Sequence, residues 1–226
     1  MTNKFIEKFK LNKTALFKGM SNEDIQTCLK SLSALDKYYF KGEMVMLSGT
    51  SVDSMGLVLS GSITVEINDR QGNKTILSHI SKGDFFAESY AFNENEFFAV
   101  DVEANEDCHI LFLNLRAIKK APKAPENWLY LFLLNLLTIV TDKNLSLTRR
   151  SYHASHKSIR GRVLAYLNSM SLRANSTTFD IPFNRSQLAD YLNVERTALS
   201  KELKKMQDEG LISYRLNHFS LFPTQP

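Results

Sequence analysis

Between Lys37 and Leu113 the glycines at 42, 49, 61, 72 and 83 punctuate short segments rich in β-formers. These runs are Lys37–Phe40, Met44–Leu47, Gly56–Leu59, Ile63–Ile67, Thr75–Ile80, Phe97–Val102 and His109–Leu113. Glycine supplies the positive φ of tight turns, and many short strands with regular turn signals predict a small antiparallel β-barrel or jelly roll. Asp69-Arg70-Gln71-Gly72-Asn73 reads as its clearest hairpin loop.

Helical texture flanks this block. Before it, Phe5, Phe9, Leu29 and Leu32 carry helical spacing, and Ser21 with Asp24 forms a capping-box pattern. After it, Pro125 suits the first turn of a helix. Leu129, Leu133, Leu136, Val140, Lys143 and Leu147 then recur at steps of four and three, a coiled-coil seam. The flanking Leu131, Phe132, Leu134 and Leu137 are apolar too and would serve the contact with the β-domain. A stripe this apolar is also compatible with a helix packed wholly against its own barrel. Dimerisation through the 125–150 helix is the reading taken forward. Trp128–Val140 is interrupted by Asn135 and Thr138 and falls short of the roughly 20 residues of a bilayer span.

Through residue 142 the chain carries 15 basic against 18 acidic side chains, and beyond it 13 against 6. A mildly acidic front and a basic back fit a protein of which one part meets a polyanion. Cys28 and Cys108 stand far apart, outside any zinc or iron–sulfur spacing, and read as reduced core thiols. Met1–Lys10 lacks the apolar run of a signal peptide, so a cytoplasmic protein is expected, with no membrane partner. Neither a cofactor nor a metal is expected. No Gly-x-Ser-x-Gly, Walker loop or His-Glu-x-x-His occurs, and the reading is not that of an enzyme.

The basic end holds the most specific pattern. From Arg185 to Met206, Leu188, Leu192, Val194, Leu199 and Leu203 fall where two crossing helices need inward residues, and Ala189 lets the helices approach. Asn193 tolerates a left-handed turn, and Glu195 opens the second helix. On that helix Arg196, Thr197, Ser200 and Lys201 share one face near the N-terminal end, where a recognition helix presents side chains to base edges. Residues 210–222 alternate as a two-stranded wing with a turn near Asn217. Arg185, Ser186, Arg215 and His218 are the candidate phosphate contacts. A short strand is expected at Phe179–Ile181.

This order of β-domain, long helix and winged helix-turn-helix resembles the cAMP-receptor-protein/FNR (Crp/Fnr) family of bacterial transcription regulators. The likeness rests on Gly42-Glu43, Gly61-Ser62, Gly83-Asp84-Phe85-Phe86-Ala87-Glu88 (the start of the family's phosphate-binding cassette) and Ile159-Arg160-Gly161-Arg162-Val163. Leu188–Leu192, Arg196 and Asp208–Ile212 complete it. The resemblance implies an α+β chain with three parts. These are a cyclic-nucleotide-binding-like β-barrel or jelly-roll sensor domain at 1–120, a dimerisation helix and hinge at 121–154, and a winged helix-turn-helix at 155–226. It also implies a homodimer on double-stranded palindromic DNA, with RNA polymerase as partner.

The departures concern the sensor. Cyclic-nucleotide binders of this family carry Gly-Glu and then Arg-Ser, whereas Ala87-Glu88 and Phe98-Ala99 stand here. A phosphate buried without a cation costs several kcal/mol, roughly, which argues against cAMP. The N-terminal cysteine cluster of the oxygen sensors and the Cys and His of the haem sensor are also missing, and His79 and His109 read as ordinary barrel histidines. Phe86, Glu88, Ser89, Phe97 and Phe98 would line a pocket for a small apolar or aromatic effector; a cassette kept empty for structure is the alternative. A regulatory module acting through protein contacts, without specific DNA binding, is the second reading of the whole chain.

Overall fold

The computed structural model describes residues 1–68, 74–93, 96–120 and 127–222. The loop predicted at Asp69–Asn73 and Pro125, read from sequence as the first turn of a helix, lie outside them. Two compact units are present, Met1–Ile139 and Val140–Pro226, and the division falls inside a long helix.

The first unit begins with α1 (Asn3–Phe9) and α2 (Asn22–Ser31). The expected capping box opens α2: Ser21 Oγ accepts from Asp24 N (3.1 Å), and Asp24 Oδ2 accepts from Ser21 N (3.2 Å). Strands β1 (Leu35–Tyr39), β2 (Met44–Met46), β3 (Ser54–Ser60), β4 (Ser62–Asn68), β5 (Lys74–Ser81), β6 (Phe85–Phe86), β7 (Asp101–Ala104) and β8 (Cys108–Asn114) follow. The short α3 (Glu88–Phe92) comes after β6.

These strands do not form the expected barrel or jelly roll. They make two open antiparallel sheets, ordered β1-β8-β3-β6 and β2-β7-β4-β5, and neither closes among the described residues. The glycines explain the difference. The β1–β2, β2–β3, β3–β4 and β5–β6 connections each carry one and each leave one sheet for the other. Glycine there turns a corner between facing sheets instead of a hairpin within one. At Gly61 (φ +79°) the demand is strongest, since a β-carbon would run into the Asp107 carbonyl oxygen and Cys108 Sγ.

One core lies between the sheets and extends to the start of α4 (Asn127–Ala154), whose Trp128, Leu129, Phe132 and Leu136 are buried in it. Phe132 packs 6.5 Å from Phe17, and the Asn135 side-chain amide donates to the carbonyls of Leu16 (3.0 Å) and Lys18 (2.9 Å). An apolar stripe clear of this core is therefore displaced from the seam read in the sequence, because Leu129 and Leu136 are buried in it. The exposed large apolar positions of α4 are Tyr130, Leu133, Leu134, Leu137, Val140, Leu145, Leu147 and Tyr152, of which Leu133, Val140 and Leu147 belong to the seam as read. Cys28 and Cys108 are free buried thiols, and burial pushes both upward from the usual thiol range.

The second unit contains α5 (Ile159–Ala174), β9 (Thr178–Asp180), α6 (Arg185–Leu192), α7 (Arg196–Asp208), β10 (Ile212–Arg215) and β11 (His218–Leu221). Its sheet runs β10-β11-β9, antiparallel throughout. Val163, Leu167, Leu188, Leu192, Leu199, Leu203, Met206 and Phe219 form its core. Among the described residues no helix is long and apolar enough to cross a membrane.

Candidate DNA interface

Helices α6 and α7 form the reading element. Asn184 caps α6, accepting from Gln187 N (3.0 Å) while Gln187 Oε1 accepts from Asn184 N (2.9 Å). The helix ends at Asn193, which takes the left-handed conformation anticipated for it (φ 53°). Glu195 then caps α7, its carboxylate accepting from Thr197 N (2.8 Å) and Ala198 N (2.7 Å). Those bonds hold the Glu195 carboxyl below the usual carboxylate range.

Leu199, Leu203 and Met206 fix α7 on the core at helical spacing, which turns Arg196, Thr197, Ser200 and Lys201 outward together; all four are exposed. Ser200 Oγ donates back to Arg196 O (3.0 Å), leaving its lone pairs to accept. Lys204 is also exposed, four residues beyond Ser200, and extends the same face. The i+4 step from Ser200 was the signal for it in the sequence.

The candidate phosphate contacts divide. Ser186 and Arg215 are exposed. Arg185 is half-buried, its guanidinium over the rings of Tyr214 (4.8 Å) and Phe219 (5.9 Å), and burial lowers its pKa from the ordinary arginine value. His218 is exposed but pairs with Asp180 (Nδ1 to Oδ1, 2.9 Å).

Three further arginines position the element, through long-range contacts that sequence spacing did not reveal. Arg162 donates to the carbonyls of His156 (2.8 Å), Leu192 (3.1 Å) and Asn193 (2.7 Å), clamping the turn between α6 and α7. Arg150 donates to the carbonyls of Asp190 (3.0 Å) and Tyr191 (3.2 Å). Arg160 bridges Glu202 of α7 and Glu209 just past its end, each at 2.7 Å, and these partners hold its pKa upward.

In the first unit the five predicted effector residues differ in burial. Phe86 is buried with its ring 6.3 Å from Phe112, and Phe98 is buried with its ring 4.9 Å from Tyr90. Phe97 is 75% exposed, Ser89 is exposed and Glu88 is half-exposed at the start of α3. The cassette corner is formed by Ala87 at φ 62°. A cavity of about 480 Å³ opens elsewhere, between the edges of β1 and β2, lined by Leu35, Lys37, Tyr39, Met44, Met46 and Phe112 among others. His79 and His109 are partnered by Thr64 (3.1 Å) and Asp36 (3.0 Å).

Comparison with known proteins agrees with this arrangement. Residues 36–123 match the cyclic nucleotide-binding domain family, and residues 161–221 match the Crp-like helix-turn-helix domain family. The cAMP-activated global transcriptional regulator CRP of Pasteurella multocida is 21% identical over 79% of this chain and 85% of that protein. Two solved structures share the fold. A CooA mutant from Carboxydothermus hydrogenoformans has TM-score 0.55, 19% identity, and covers 90% of this chain and 87% of its own. DNR from Pseudomonas aeruginosa has TM-score 0.51, 19% identity, and covers 99% and 97%. The two matched domains, in this order and on either side of α4, make the chain a member of the Crp/Fnr family of DNA-binding bacterial transcription regulators.

Proposed function

We propose that the chain acts as a homodimer that reads a palindromic operator through Arg196, Thr197, Ser200 and Lys201. Ser186, Arg215, Arg185 and His218 position it on the phosphates, and RNA polymerase is the partner on which the bound dimer acts. The observation that carries this reading is the exposed polar face of α7, set on a helix whose angle is fixed by Arg160 and whose entry turn is clamped by Arg162. Arginine bonds guanine bidentately, worth roughly 1–3 kcal/mol of discrimination per base pair.

Helix α4 supplies the dimer contact in the displaced register. Tyr130, Leu133, Leu137, Val140, Asn144 and Leu147 follow one another at steps of 3, 4, 3, 4 and 3, all exposed. That is a heptad seam with one polar Asn, a residue type that fixes register and strand number. Two such helices would hold the recognition helices for major grooves one turn apart, roughly 34 Å.

The effector, where one acts, is not cAMP but a small apolar or aromatic molecule. At the cassette position where the family's cyclic-nucleotide binders carry Arg, Phe98 is buried against Tyr90 and offers a phosphate no charge. Such an effector would shift the population of two dimer states that differ in the spacing of their reading heads. A regulator of this kind works in the bacterial cytoplasm.

Selection of duplexes from a random pool by the purified protein tests the reading. Enrichment of a two-fold symmetric site is expected; enrichment of nothing, with and without candidate effectors, would leave the protein-contact reading in its place.

A further inference from the structure

The wing tip carries a residue that its own fold gives no reason to keep. Strand β10 ends at Arg215 and β11 begins at His218, so Leu216 and Asn217 are the whole turn. A two-residue hairpin of this kind needs positive φ at its first central residue and normally places Gly, Asn or Asp there. Leu216 occupies it at φ 55° and is 84% exposed. Its side chain strains the backbone and gains no burial.

The turn beneath it is rigid. Ile181 N donates to the Asn217 carbonyl (2.9 Å), and the Asn217 side-chain amide donates to the Ile181 carbonyl (3.2 Å), tying the tip to the segment after β9. Leu216 and Asn217 also form one wall of a hollow of about 420 Å³, with Pro182, Phe183, Asn184, Arg185 and Gln187 on the other side. Arg185 brings the cation of the α6 N-terminus to that hollow, and exposed Arg215 adjoins the tip along the strand.

We propose that Leu216 is a DNA-contacting residue that lays its side chain against the deoxyriboses lining the minor groove at the edge of each half-site. The proposal rests on the DNA-binding reading of the same unit. A phosphodiester paired by Arg185 at the hollow brings the adjoining sugar to the lip that Leu216 forms, and the C–H edge of deoxyribose is an apolar partner. Apolar wing and arm residues suit the minor groove, where wedges of Leu, Ile or Phe act on backbone and stacking instead of reading bases. The strain at Leu216 is then offset in the complex by contact with DNA.

The contact is uncharged, and this sets the test. The full-length protein is titrated with the selected operator duplex at several salt concentrations, as wild type, Leu216→Gly, Leu216→Met, Arg215→Ala and Arg196→Ala. Leu216→Gly removes the side chain and relieves the backbone, so its thermal midpoint should equal or exceed that of wild type while affinity falls about tenfold at every salt. The slope of log K against log salt should be unchanged, whereas Arg215→Ala should reduce it by about one. Leu216→Met keeps an apolar side chain and should stay within about threefold of wild type. Hydroxyl-radical footprints should lose protected sugars at the outer edges of the site in Leu216→Gly alone. Binding of Leu216→Gly within twofold of wild type would overturn the proposal, as would a loss accompanied by a lower thermal midpoint. A wild type that binds no duplex specifically would instead remove the DNA-binding reading, and this proposal with it.

Discussion

Nδ1 of His153 lies 3.0 Å from the Tyr191 hydroxyl, joining the last turn of α4 to α6 in a setting where His153 is 3% exposed. Its Nε2 lies 2.8 Å from Ser169 Oγ, which itself donates to Ala165 O (2.9 Å). The serine therefore accepts from Nε2–H, and in the neutral imidazole Nδ1 accepts from the tyrosine hydroxyl, so both ring nitrogens are satisfied without a charge. Burial first, then the charges of His156 and Arg149, lower its pKa from the ordinary value near 6.5.

Stability should consequently fall in mild acid. Above about pH 6.5 His153 is neutral in both states and costs nothing. Below it the unfolded chain takes up the proton first, so stability drops with pH until the native imidazole also protonates. Urea midpoints measured between about pH 7.5 and 5.5 should decline in the wild type, and His153→Gln should flatten that decline. Equal slopes in the two proteins would show that His153 is not the titrating group.

The Arg162 clamp predicts a loss of DNA affinity without a change of sequence preference. Charge-assisted hydrogen bonds contribute about 1.5–3 kcal/mol each, and Arg162→Ala removes two of them from the turn that aims α7, together with a third to the His156 carbonyl. Operator affinity should fall at least about tenfold, roughly 1.4 kcal/mol, with the same preferred half-site. A relaxed half-site would mean that Arg162 touches bases itself.

Ala87 sits at φ 62°, where a β-carbon is unfavourable and where the resembling family carries glycine. Relief of that strain outweighs the added freedom of the unfolded glycine, so Ala87→Gly should stabilise the protein by up to about 1 kcal/mol. An unchanged or lower denaturation midpoint would show that the surrounding corner tolerates alanine without cost.

Along α4, Leu133 and Leu147 lie on the proposed dimer seam and are exposed, outside the buried core. Leu133→Lys with Leu147→Lys should convert the protein to a folded monomer in sedimentation equilibrium. The same substitutions should leave the far-ultraviolet dichroism intact. A dimer that survives both changes would place the contact elsewhere.

Elements governed by local chemistry were legible in the sequence. The Ser21–Asp24 box, the left-handed Asn193, the Glu195 cap and the inward leucines of α6 and α7 each depend on residues a few positions apart. What depended on distant partners was not. The glycines at 42, 49, 61 and 83 marked turns correctly but could not say that those turns crossed between sheets. Leu129 and Leu136 fitted a heptad, yet they pack into the core of the first unit, while Tyr130, Leu133 and Leu137 stay exposed. Phe86 and Phe98 were apolar enough for a pocket and equally for a core; both are buried among the core residues of the first unit. The Arg162 clamp joins residues 30 and 31 positions apart and left no periodic trace.

If the exposed face of α7 reads DNA sequence, Arg196 is its most exacting point. Wild type and Arg196→Ala should be titrated, at two salt concentrations, with the selected operator and with a duplex altered at one base pair per half-site. Wild type should discriminate between the two duplexes by at least about tenfold, and Arg196→Ala should keep a salt-dependent affinity for both while losing most of the discrimination. Undiminished discrimination by Arg196→Ala would show that α7 does not read the operator through this residue.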